Sequence, residues 1–270
     1  MERIKILGAW IDALTLAEAV ERVAAMIREG GPHQVITLNP EILYRAAREP
    51  ALLELINRAS LVTADGVGIL WAARFAGKKR NFPERVTGID LLQGLAARAA
   101  EEGWRLFLLG GAPGVAEEAA AGLCRQYPGL VVAGTYHGYF SGGGNGSGRV
   151  FSGTGGGFPE ETEPPRSLTE TEVVEMIRRA CPHLLFVGMG APRQEEFIAR
   201  NLGQMNVPVA MGVGGSFDVL AGRVKRPPAW MRELHLEWLG RLLREPRRWR
   251  RMLVLPRFAW LAWREGFRNR

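Results

Sequence analysis

Short apolar runs alternate with helical patterns along most of the chain, and this alternation limits the fold more than any other feature. Stretches with the three-to-four-residue period of helices separate the runs. Strands that alternate with helices need crossover connections, which place the strands parallel to one another. The sequence therefore predicts an α/β fold with a mostly parallel sheet flanked by helices. The predicted strands are QVITL (34–38), LVT (61–63), RLFLLG (105–110), LVVAGT (130–135), HLLFVGMG (183–190) and VPVAMGVGG (207–215).

Two helix starts are marked by residues that cap helices. Thr15 with Glu18 fits a capping box in front of a helix over Leu16–Glu29, and Asn39 followed by Pro40 fits an N-cap with proline in the first turn. Open parallel sheets bind ligands beyond the carboxyl ends of their strands. The residues that follow each predicted strand are therefore the candidates for function.

Two segments fall outside the alternation and divide the chain. Residues 141–170 are dominated by Gly, Ser, Thr and Pro, which predicts a flexible insertion, and a helical pattern resumes near Thr169. Residues 223–270 carry apolar residues at helical spacing among many arginines. The predicted organisation is an α/β catalytic domain over 1–222 with a basic helical C-terminal appendage over 223–270.

The positive charge of the protein is concentrated in that appendage. Residues 225–270 hold thirteen Lys and Arg against four acids, a net charge of +9, so the rest of the chain carries −2 of the total of +7. Five of the eight tryptophans lie in the same segment. Such an asymmetry predicts an anionic partner, either phospholipid or nucleic acid; a packing element or an oligomer contact is the remaining alternative.

Several classes of protein are disfavoured by what the sequence lacks. No apolar run approaches the roughly 20 residues of a spanning helix, and the N-terminal residues do not resemble a secretory signal. Cys124 and Cys181 occur in unrelated contexts, which favours a reducing cytoplasm over a disulfide framework. The glycines of LLGGAPG (108–114) depart from dinucleotide-binding spacing, and Gly-Lys-Ser/Thr does not occur. The histidines are scattered, which disfavours a metal site. Together with the glycine spacing, this leaves neither a metal nor an organic cofactor expected.

Polar residues stand at the ends of the first two predicted strands. Asp65 is either a turn or helix-cap aspartate or a general base that takes a proton from an attacking hydroxyl. Asn39 is a helix cap, a ligand contact or both, and Thr37 shares its edge of the sheet. Arg85 lies in a short polar loop, where it is either a surface arginine or a group that neutralises a leaving diphosphate.

The later strand ends combine polar residues with glycines. Gln194 either starts its helix or orients a sugar, and Asp218 either starts a helix or contacts the edge of a base. Tyr139 follows another predicted strand. Glycines let a ligand approach the backbone, and the helix N-termini after them offer N–H groups to phosphate. These strand ends predict a nucleotide or other diphosphate ligand; the glycines concerned include Gly110, Gly190 and Gly214.

In order along the chain, six motifs closely resemble those of the WecG/TagA/CpsF glycosyltransferases, family 26. The resemblance covers nearly the whole chain and departs from the family in the length of the 141–170 segment. It implies a Rossmann-like sheet and a C-terminal appendage that helps to complete the site. The motifs are TLNPE, TADGVGI, RVTGID, LLGGAPG, GMGAPRQE and GVGGSFDVLAGRVKRPPAWMRELHLEWLGRLLREPRR.

The activity that the resemblance implies is an inverting, metal-independent transfer of N-acetylmannosamine (ManNAc) from UDP-ManNAc. The acceptor is the 4-hydroxyl of GlcNAc on undecaprenyl diphosphate, in the synthesis of teichoic acid or a related cell-surface glycopolymer. ManNAc uronic acid and glucose are the alternative donor sugars. The implied place of action is the inner face of the cell membrane, without nucleic acid as a partner, and a homo-oligomer stays open.

The resemblance also implies roles for individual residues. Asp65 is the base; Thr37 and Asn39 position sugars; Arg85 and Gln194 belong to the donor site; Tyr139 and Asp218 surround the uridine. This sequence contains no Asp-x-Asp motif that would bind a metal with the diphosphate. Helix N-termini and arginines are therefore expected to supply the positive field, including the appendage residues Arg226 and Arg232.

Overall fold

The computed structural model describes residues 2–75, 81–141, 168–226, 228, 231 and 254–268. The strands are β1 (Arg3–Ile6), β2 (Ala9–Asp12), β3 (His33–Leu38), β4 (Leu61–Ala64), β5 (Arg105–Gly110), β6 (Val131–Tyr136), β7 (Leu184–Gly188) and β8 (Val209–Gly212). The helices are α1 (Leu16–Glu29), α2 (Pro40–Ala46), α3 (Pro50–Arg58), α4 (Val67–Phe75), α5 (Gly88–Glu102), α6 (Val115–Gln126), α7 (Glu170–Ala180), α8 (Arg193–Met205), α9 (Ser216–Leu220) and α10 (Val254–Arg268).

Six strands form one sheet in the order β4-β3-β8-β7-β5-β6. The pairs β3–β4, β5–β6, β5–β7 and β7–β8 are parallel. Helices connect successive strands, as parallel pairing requires. Each of the six predicted strands is present as one of β3–β8. The predicted α/β fold with a mostly parallel sheet flanked by helices is confirmed, and it is consistent with a Rossmann-like architecture.

β1 and β2 form a separate antiparallel hairpin that the sequence analysis did not predict. Its two-residue turn places both Leu7 and Gly8 at positive φ, 47° and 89°, the backbone of the mirror-image turns that suit twisted hairpins. Arg3 Nε donates to Asp12 Oδ1 at 2.8 Å, and Val62 N donates to Asp12 Oδ2 at 2.8 Å. The buried carboxylate of Asp12 therefore fastens the hairpin to β4.

Both predicted helix starts are confirmed. Glu18 N donates to Thr15 Oγ1 at 3.3 Å, and Thr15 N donates to the Glu18 carboxylate at 2.7 Å, in the reciprocal pattern of a capping box. The helix that follows spans Leu16–Glu29, as predicted. At α2, Ile42 N donates to Asn39 Oδ1 at 2.9 Å, with Pro40 in the first helical position.

The chain divides into two compact units that are discontinuous in sequence. The first unit contains Met1–Glu21, Val35–Leu91 and Lys225–Arg270, and the second contains Arg22–Gln34 and Leu92–Val224. The predicted catalytic domain over 1–222 thus contributes residues to both units. The predicted appendage over 223–270 falls almost wholly within the first unit, and its status as a separate domain stays a prediction.

The core of the first unit joins β1–β4 to α2, α3, α4 and α10. On α10 the side chains of Phe258 and Ala262 are 2% and 0% exposed and belong to this core. Trp260 and Trp263 of the same helix remain 56% and 50% exposed. α10 is therefore amphipathic, with one face packed on its unit and aromatic side chains on the other.

The core of the second unit lies between the β5–β7 region of the sheet and helices α7 and α8, around Phe107, Val187 and Phe197. Of the predicted insertion over 141–170, residues 142–167 lie outside the described residues. The described chain on either side of them is joined by backbone hydrogen bonds. Ser141 N donates to Leu168 O at 3.0 Å, and Glu170 N donates to Ser141 O at 2.8 Å.

Candidate functional site

In the first unit, the carboxyl ends of β3 and β4 and the loop before α5 are held together by backbone hydrogen bonds. Asp65 N donates to Leu38 O at 2.9 Å, and Val86 N donates to Ala64 O at 3.1 Å. These bonds place the residues that follow both strands beside the first turn of α5. We call this region, with Thr37, Asn39, Asp65, Arg85 and the first turn of α5, the Asp65 cluster.

The carboxylate of Asp65 is anchored at the N-terminus of α5. Gly88 N, in the first residue of that helix, donates to Asp65 Oδ2 at 3.2 Å. The positive end of a helix dipole stabilises a negative charge at such a position. Thr37 converges on the same point, because a Cβ atom at Gly88 would lie 3.1 Å from Thr37 Oγ1. The structure therefore brings Asp65 and Thr37 together around Gly88, with Thr37 buried and Asp65 partly exposed.

Asn39 caps α2, so the structural interpretation of this residue is confirmed. Its side-chain oxygen accepts the hydrogen bond from Ile42 N, an N–H group that the helix itself leaves without a partner. The side chain is partly exposed at the end of β3. Contact with a sugar is compatible with the cap and stays a prediction.

Two arginines lie in or beside the Asp65 cluster. Arg85 lies partly exposed in the loop before α5, next to the hydrogen bond that ties Val86 to β4. Arg226 Nη2 donates to Asp90 Oδ1 at 2.6 Å, and Asp90 Oδ2 accepts from Thr87 Oγ1 at 2.5 Å. Asp90 thus fixes Arg226 against the first turn of α5, the helix that also anchors Asp65. Arg232 lies outside the described residues.

In the second unit, glycines allow the strand ends to approach one another closely. Gly110 has a φ of +140°, and a Cβ atom there would overlap the carbonyl group of Gly188 at the end of β7. Gly111 N donates to Gly188 O at 3.0 Å, and Gly138 N donates to Gly111 O at 2.9 Å. The glycine at position 110 is therefore a structural requirement of the strand ends, whether or not a ligand lies against it.

Gln194 connects the loops that follow β7 and β8. Its Oε1 accepts hydrogen bonds from Gly190 N at 3.1 Å and from Gly214 N at 3.0 Å. Its Nε2 donates to Glu195 Oε1 at 2.8 Å. Both glycines have positive φ, +77° and +54°, and the Gln194 side chain is only 3% exposed. The predicted residues Gln194, Gly190 and Gly214 are thus brought together, and we call them, with Glu195, the Gln194 cluster.

Glu195 is the residue of this cluster that the sequence analysis missed. It is 1% exposed, and its Oε2 has no hydrogen-bond partner among the described residues. Burial raises the pKa of this carboxyl group to about 7, because desolvation disfavours the charged form. A signal was available in the helical period: position 195 lies three residues before Ile198, on the face that packs into the core.

Tyr139 and Asp218 lie in other loops of the second unit. Tyr139 N donates to His137 Nδ1 at 3.2 Å, and the two rings are 6.3 Å apart. Burial lowers the pKa of His137, which favours the neutral imidazole that this hydrogen bond requires. Asp218 stands in the first turn of α9, and its carbonyl oxygen accepts from Val224 N at 3.0 Å. Their placement around a uridine stays a prediction.

The two clusters differ in the chemistry that they offer. The Asp65 cluster combines an accessible carboxylate with arginines, as a reaction that removes a proton and releases an anion requires. The Gln194 cluster shapes glycine backbone beside a helix N-terminus, which suits the binding of phosphate. Among the described residues, no group of His, Cys, Asp and Glu has the arrangement of a metal site.

Comparison with known proteins identifies the family of the chain. Residues 4–270 match the profile of the family described as "Glycosyl transferase WecG/TagA/CpsF family". The chain belongs to the WecG/TagA/CpsF family. Membership makes it a glycosyltransferase, so the strand-end residues described above are candidates for binding a sugar donor and a sugar acceptor.

Several curated members of the WecG/TagA/CpsF family are similar to the chain over most of its length. Three of them carry the name N-acetylglucosaminyldiphosphoundecaprenol N-acetyl-beta-D-mannosaminyltransferase. The protein of Bacillus spizizenii is 33% identical over 83% of this chain and 76% of its own length. That of Bacillus subtilis strain 168 is 30% identical over 94% and 84%, and that of Staphylococcus aureus strain MW2 is 33% identical over 96% and 91%.

This WecG/TagA/CpsF family member carries a further surface feature in its first unit, where α10 meets α2. A groove of about 910 Å³ lies there, and three of its residues are arginines. Arg264 also lies over the exposed ring of Trp260, with its guanidinium carbon 5.5 Å from the ring centroid. None of the described helices combines the length and the apolar character that crossing a membrane needs. The groove is lined by Leu7, Tyr44, Ala47, Arg48, Pro256, Arg257, Trp260, Leu261, Arg264 and Glu265.

Proposed function

We propose that this glycosyltransferase moves ManNAc from UDP-ManNAc to the 4-hydroxyl of GlcNAc on undecaprenyl diphosphate, with inversion at C1. The product is a disaccharide on the lipid diphosphate, which serves the synthesis of teichoic acid or a related glycopolymer. The names of the relatives, at 30–33% identity over 83–96% of the chain, support the acceptor and the transferred sugar. UDP as the carrier is part of the proposal, and the glycines and helix N-termini at the strand ends suit the diphosphate of such a donor.

One observation carries the chemical part of the proposal, namely the position of the Asp65 carboxylate. It is partly exposed, directly after β4, and one of its oxygens is held by Gly88 N at 3.2 Å. An anchored carboxylate at the carboxyl edge of a parallel sheet has the chemistry and the place that a general base needs. Thr37 beside it adds a hydroxyl for orienting a sugar.

The proposed reaction is a single in-line displacement. The O4 atom of GlcNAc forms a bond to C1 of ManNAc while the bond from C1 to the β-phosphate oxygen breaks. Asp65 takes the proton of the attacking hydroxyl, and UDP leaves with the electron pair of the broken bond. One general base and one stabiliser of the departing diphosphate suffice for this step.

Arginines are the proposed stabilisers of the departing diphosphate. Arg85 stands in the loop that Val86 ties to the end of β4, and Arg226 is fixed by Asp90 on the first turn of α5. Guanidinium groups bind phosphate oxygens in a bidentate manner, which suits charge that develops on a leaving diphosphate. Transfer without a metal ion is part of this proposal and is tested with it.

A donor panel tests the proposed reaction directly. The purified protein is incubated with a GlcNAc-diphospholipid and, separately, UDP-ManNAc, UDP-ManNAc uronic acid, UDP-GlcNAc or UDP-glucose, and the lipid products are weighed by mass spectrometry. We expect the mass of one N-acetylhexosamine to be added from UDP-ManNAc, in the presence of a chelator as well as in its absence. Transfer from another donor alone would change the assigned sugar, and dependence on a divalent metal would overturn the arginine account.

We further propose that the exposed face of α10 contacts an anionic membrane surface on the cytoplasmic side. Two half-exposed tryptophans and the arginines around the groove combine the side chains that favour the water–lipid interface with those that favour anionic headgroups. The core face of the same helix, with Phe258, keeps this surface attached to the first unit.

Vesicle binding tests the α10 surface with a matched control. Trp260→Ala with Trp263→Ala should reduce co-sedimentation with phosphatidylglycerol vesicles, while Trp10→Ala, which removes a tryptophan that is 41% exposed on β2, should not. Wild-type protein should bind neutral phosphatidylcholine vesicles weakly, and raised salt should weaken binding to the anionic ones. Equal binding by all variants would overturn the membrane proposal, and retention of a DNA duplex in place of vesicles would favour a nucleic-acid partner.

A further inference from the structure

The Gln194 side chain works as a bracket between two loops. Its single oxygen receives the N–H groups of Gly190 and Gly214, one from the loop after β7 and one from the loop after β8. Both glycines have positive φ, a backbone conformation that does not occur within regular helices or strands. The shape of these two loops therefore depends on which way the Gln194 amide points.

A primary amide has two similar faces, and only one of them fits here. With the amide reversed, the NH₂ group would face two backbone N–H donors, and three donors cannot satisfy one another. The observed orientation of the amide needs a hydrogen-bond acceptor on the other side, to which Nε2 can donate. Glu195 Oε1 is that acceptor, at 2.8 Å.

The surroundings of Glu195 leave it little freedom to do anything else. Gln34 Nε2 donates to the Glu195 backbone carbonyl at 3.0 Å, and that bond is buried. On the side of β8, a Cβ atom at Gly212 would lie 2.6 Å from Gln194 Nε2 and 3.0 Å from Glu195 Oε1. The glycine at the end of β8 thus makes the space in which the Gln194 amide and the Glu195 carboxyl group meet.

Burial of a carboxyl group in such a space is energetically unfavourable. Glu195 is buried, and its second oxygen has no hydrogen-bond partner among the described residues. A buried polar atom without a partner costs stability, so an apolar side chain of similar size would suit the packing better. What the carboxyl group supplies, and an apolar group lacks, is the acceptor for Gln194.

We propose that Glu195 is a positioning residue of the sugar-donor site: its carboxyl oxygen fixes the Gln194 amide, which holds the glycine loops after β7 and β8 in the shape that binds the donor diphosphate. This role rests on the proposed function, because it takes the donor to be a nucleoside diphosphate sugar. Glu195 touches no substrate itself and acts through Gln194.

The first experiment compares two replacements of similar size. Glu195→Gln keeps an acceptor oxygen for Gln194, whereas Glu195→Met fills the space without one. We expect Glu195→Met to raise the KM for UDP-ManNAc by roughly 10-fold, the scale of one buried donor losing its partner. Its kcat should change by less than about threefold, since loops that bind ground and transition state alike affect KM alone. Glu195→Gln should keep the wild-type KM for UDP-ManNAc.

A purely structural role makes a different forecast, namely lower stability with an unchanged donor KM. Glu195→Met removes an oxygen without a partner but also takes the acceptor from Gln194 Nε2, so the two effects on the thermal midpoint oppose each other. A raised donor KM in Glu195→Met that is folded at the assay temperature therefore identifies positioning. A wild-type KM in folded Glu195→Met, or an equally raised KM in Glu195→Gln, would overturn the proposal.

An isosteric exchange keeps the proposal testable if Glu195→Met does not fold. Gln194→Glu replaces the amide donor with a second acidic group against Glu195 Oε1, which lies 2.8 Å from the wild-type donor atom, and should raise the donor KM. The double variant Gln194→Glu with Glu195→Gln reverses donor and acceptor across the same bond and restores a single carboxylate. We expect it to recover most of the loss, and no recovery in this double-mutant cycle would count against a hydrogen bond as the cause.

Amide hydrogen exchange separates this inference from the proposed function, because it needs no substrate. Peptides that cover 188–190 and 212–214 should exchange faster in Glu195→Met than in the wild type, and at the wild-type rate in Glu195→Gln. That pattern in a protein that transfers no sugar from any donor would overturn the proposed function and support the bracket. Unchanged exchange in Glu195→Met, in a protein that does transfer ManNAc, would overturn the bracket alone.

Discussion

The carboxyl groups of Asp65 and Glu195 follow strands of the same sheet, in opposite surroundings. Asp65 is partly exposed and held by a backbone N–H at the start of α5, whereas Glu195 is 1% exposed with burial raising its pKa to about 7. The first environment stabilises a charge that stays in reach of a substrate. The second favours a neutral group that only neighbouring side chains can contact. Solvent and hydrogen-bond donors, more than residue type, thus decide whether a carboxyl group serves proton transfer or the shape of a loop.

The largest expected effect concerns the accessible carboxyl group. Asp65→Asn keeps an oxygen for Gly88 N and removes the base, so we expect kcat for ManNAc transfer to fall by roughly 10²–10⁴-fold. Calorimetry should show UDP binding close to that of the wild type. Steady-state kinetics with the lipid acceptor provide the measurement, and turnover unchanged by the substitution would remove Asp65 from the role of base.

The second expected effect concerns the buried carboxyl group and pH. The folded protein keeps the Glu195 proton up to about pH 7, whereas the unfolded chain releases it near the ordinary value of 4.5. The folded state therefore binds more protons between these values, and the free energy of unfolding falls as the pH rises through that window. The fall is up to about 3 kcal/mol, from the size of the shift.

Glu195→Gln isolates this effect, because it removes the titrating group at similar size. His137, whose pKa burial lowers, acts in the opposite direction, and it does so equally in both proteins. The groups around Glu195 are Gln34 from β3, Gly212 from β8, and Gln194 and Glu196 from its own helix; the charge of Glu196 also raises its pKa. The free energy of unfolding is measured with urea from pH 4 to pH 8 for both proteins. The wild-type value minus the Glu195→Gln value should fall as the pH rises. A difference that stays constant with pH would contradict a buried neutral Glu195.

Glycine-to-alanine substitutions should destabilise the two clusters to different extents. Gly212→Ala puts a methyl group 2.6 Å from Gln194 Nε2, whereas Gly88→Ala puts one 3.1 Å from Thr37 Oγ1. We expect Gly212→Ala to cost about 1–3 kcal/mol of unfolding free energy, as overpacking does, and Gly88→Ala to cost less. Gly203 of α8 is the control: it is exposed and has open space around it, so alanine should stabilise by about 0.5–1 kcal/mol. Thermal and urea unfolding measure all three.

The smallest expected effect separates the two interpretations of Asn39. Asn39→Ala removes the cap of α2 and should cost about 1 kcal/mol, whereas Asn39→Asp keeps a capping oxygen and should cost little. If Asn39 also contacts a sugar, Asn39→Asp should lower kcat/KM without a loss of stability. Wild-type kinetics in Asn39→Asp would restrict this residue to capping.

Features that a recognisable sequence pattern marks were predicted, and features without such a pattern were missed. The start of α1 depends on Thr15 and Glu18, which are three residues apart, and the end of β4 beside Asp65 follows from a strand that meets a helix. The β1–β2 hairpin was missed because its turn, Leu7–Gly8, lacks the Asn-Gly or Asp-Gly pair that marks such turns. The helical period indicates that Glu195 is buried, but its role was missed because its meeting with the Gln194 amide depends on space left by Gly212 at the end of another strand.

The same distinction explains why Gln194 was recognised and its partners were not. Its position after a predicted strand marks it as a candidate, which is information within one stretch of sequence. The hydrogen bonds to Gly190 and Gly214 join loops after two different strands, so they depend on the pairing of β7 with β8. Pairing of strands that are far apart in sequence is a property of the folded chain.

The backbone hydrogen bonds at Ser141 have a practical consequence for protein engineering. Because backbone hydrogen bonds join Ser141 to Leu168 and Glu170, both ends of the connection between them are fixed, and chain entropy sets the cost of changing its length. Doubling the length of such a closed connection costs only about 0.6 kcal/mol of chain entropy. The connection after Ser141 is thus an insertion site for a fluorescent domain or an affinity module, which leaves both termini of this glycosyltransferase as they are.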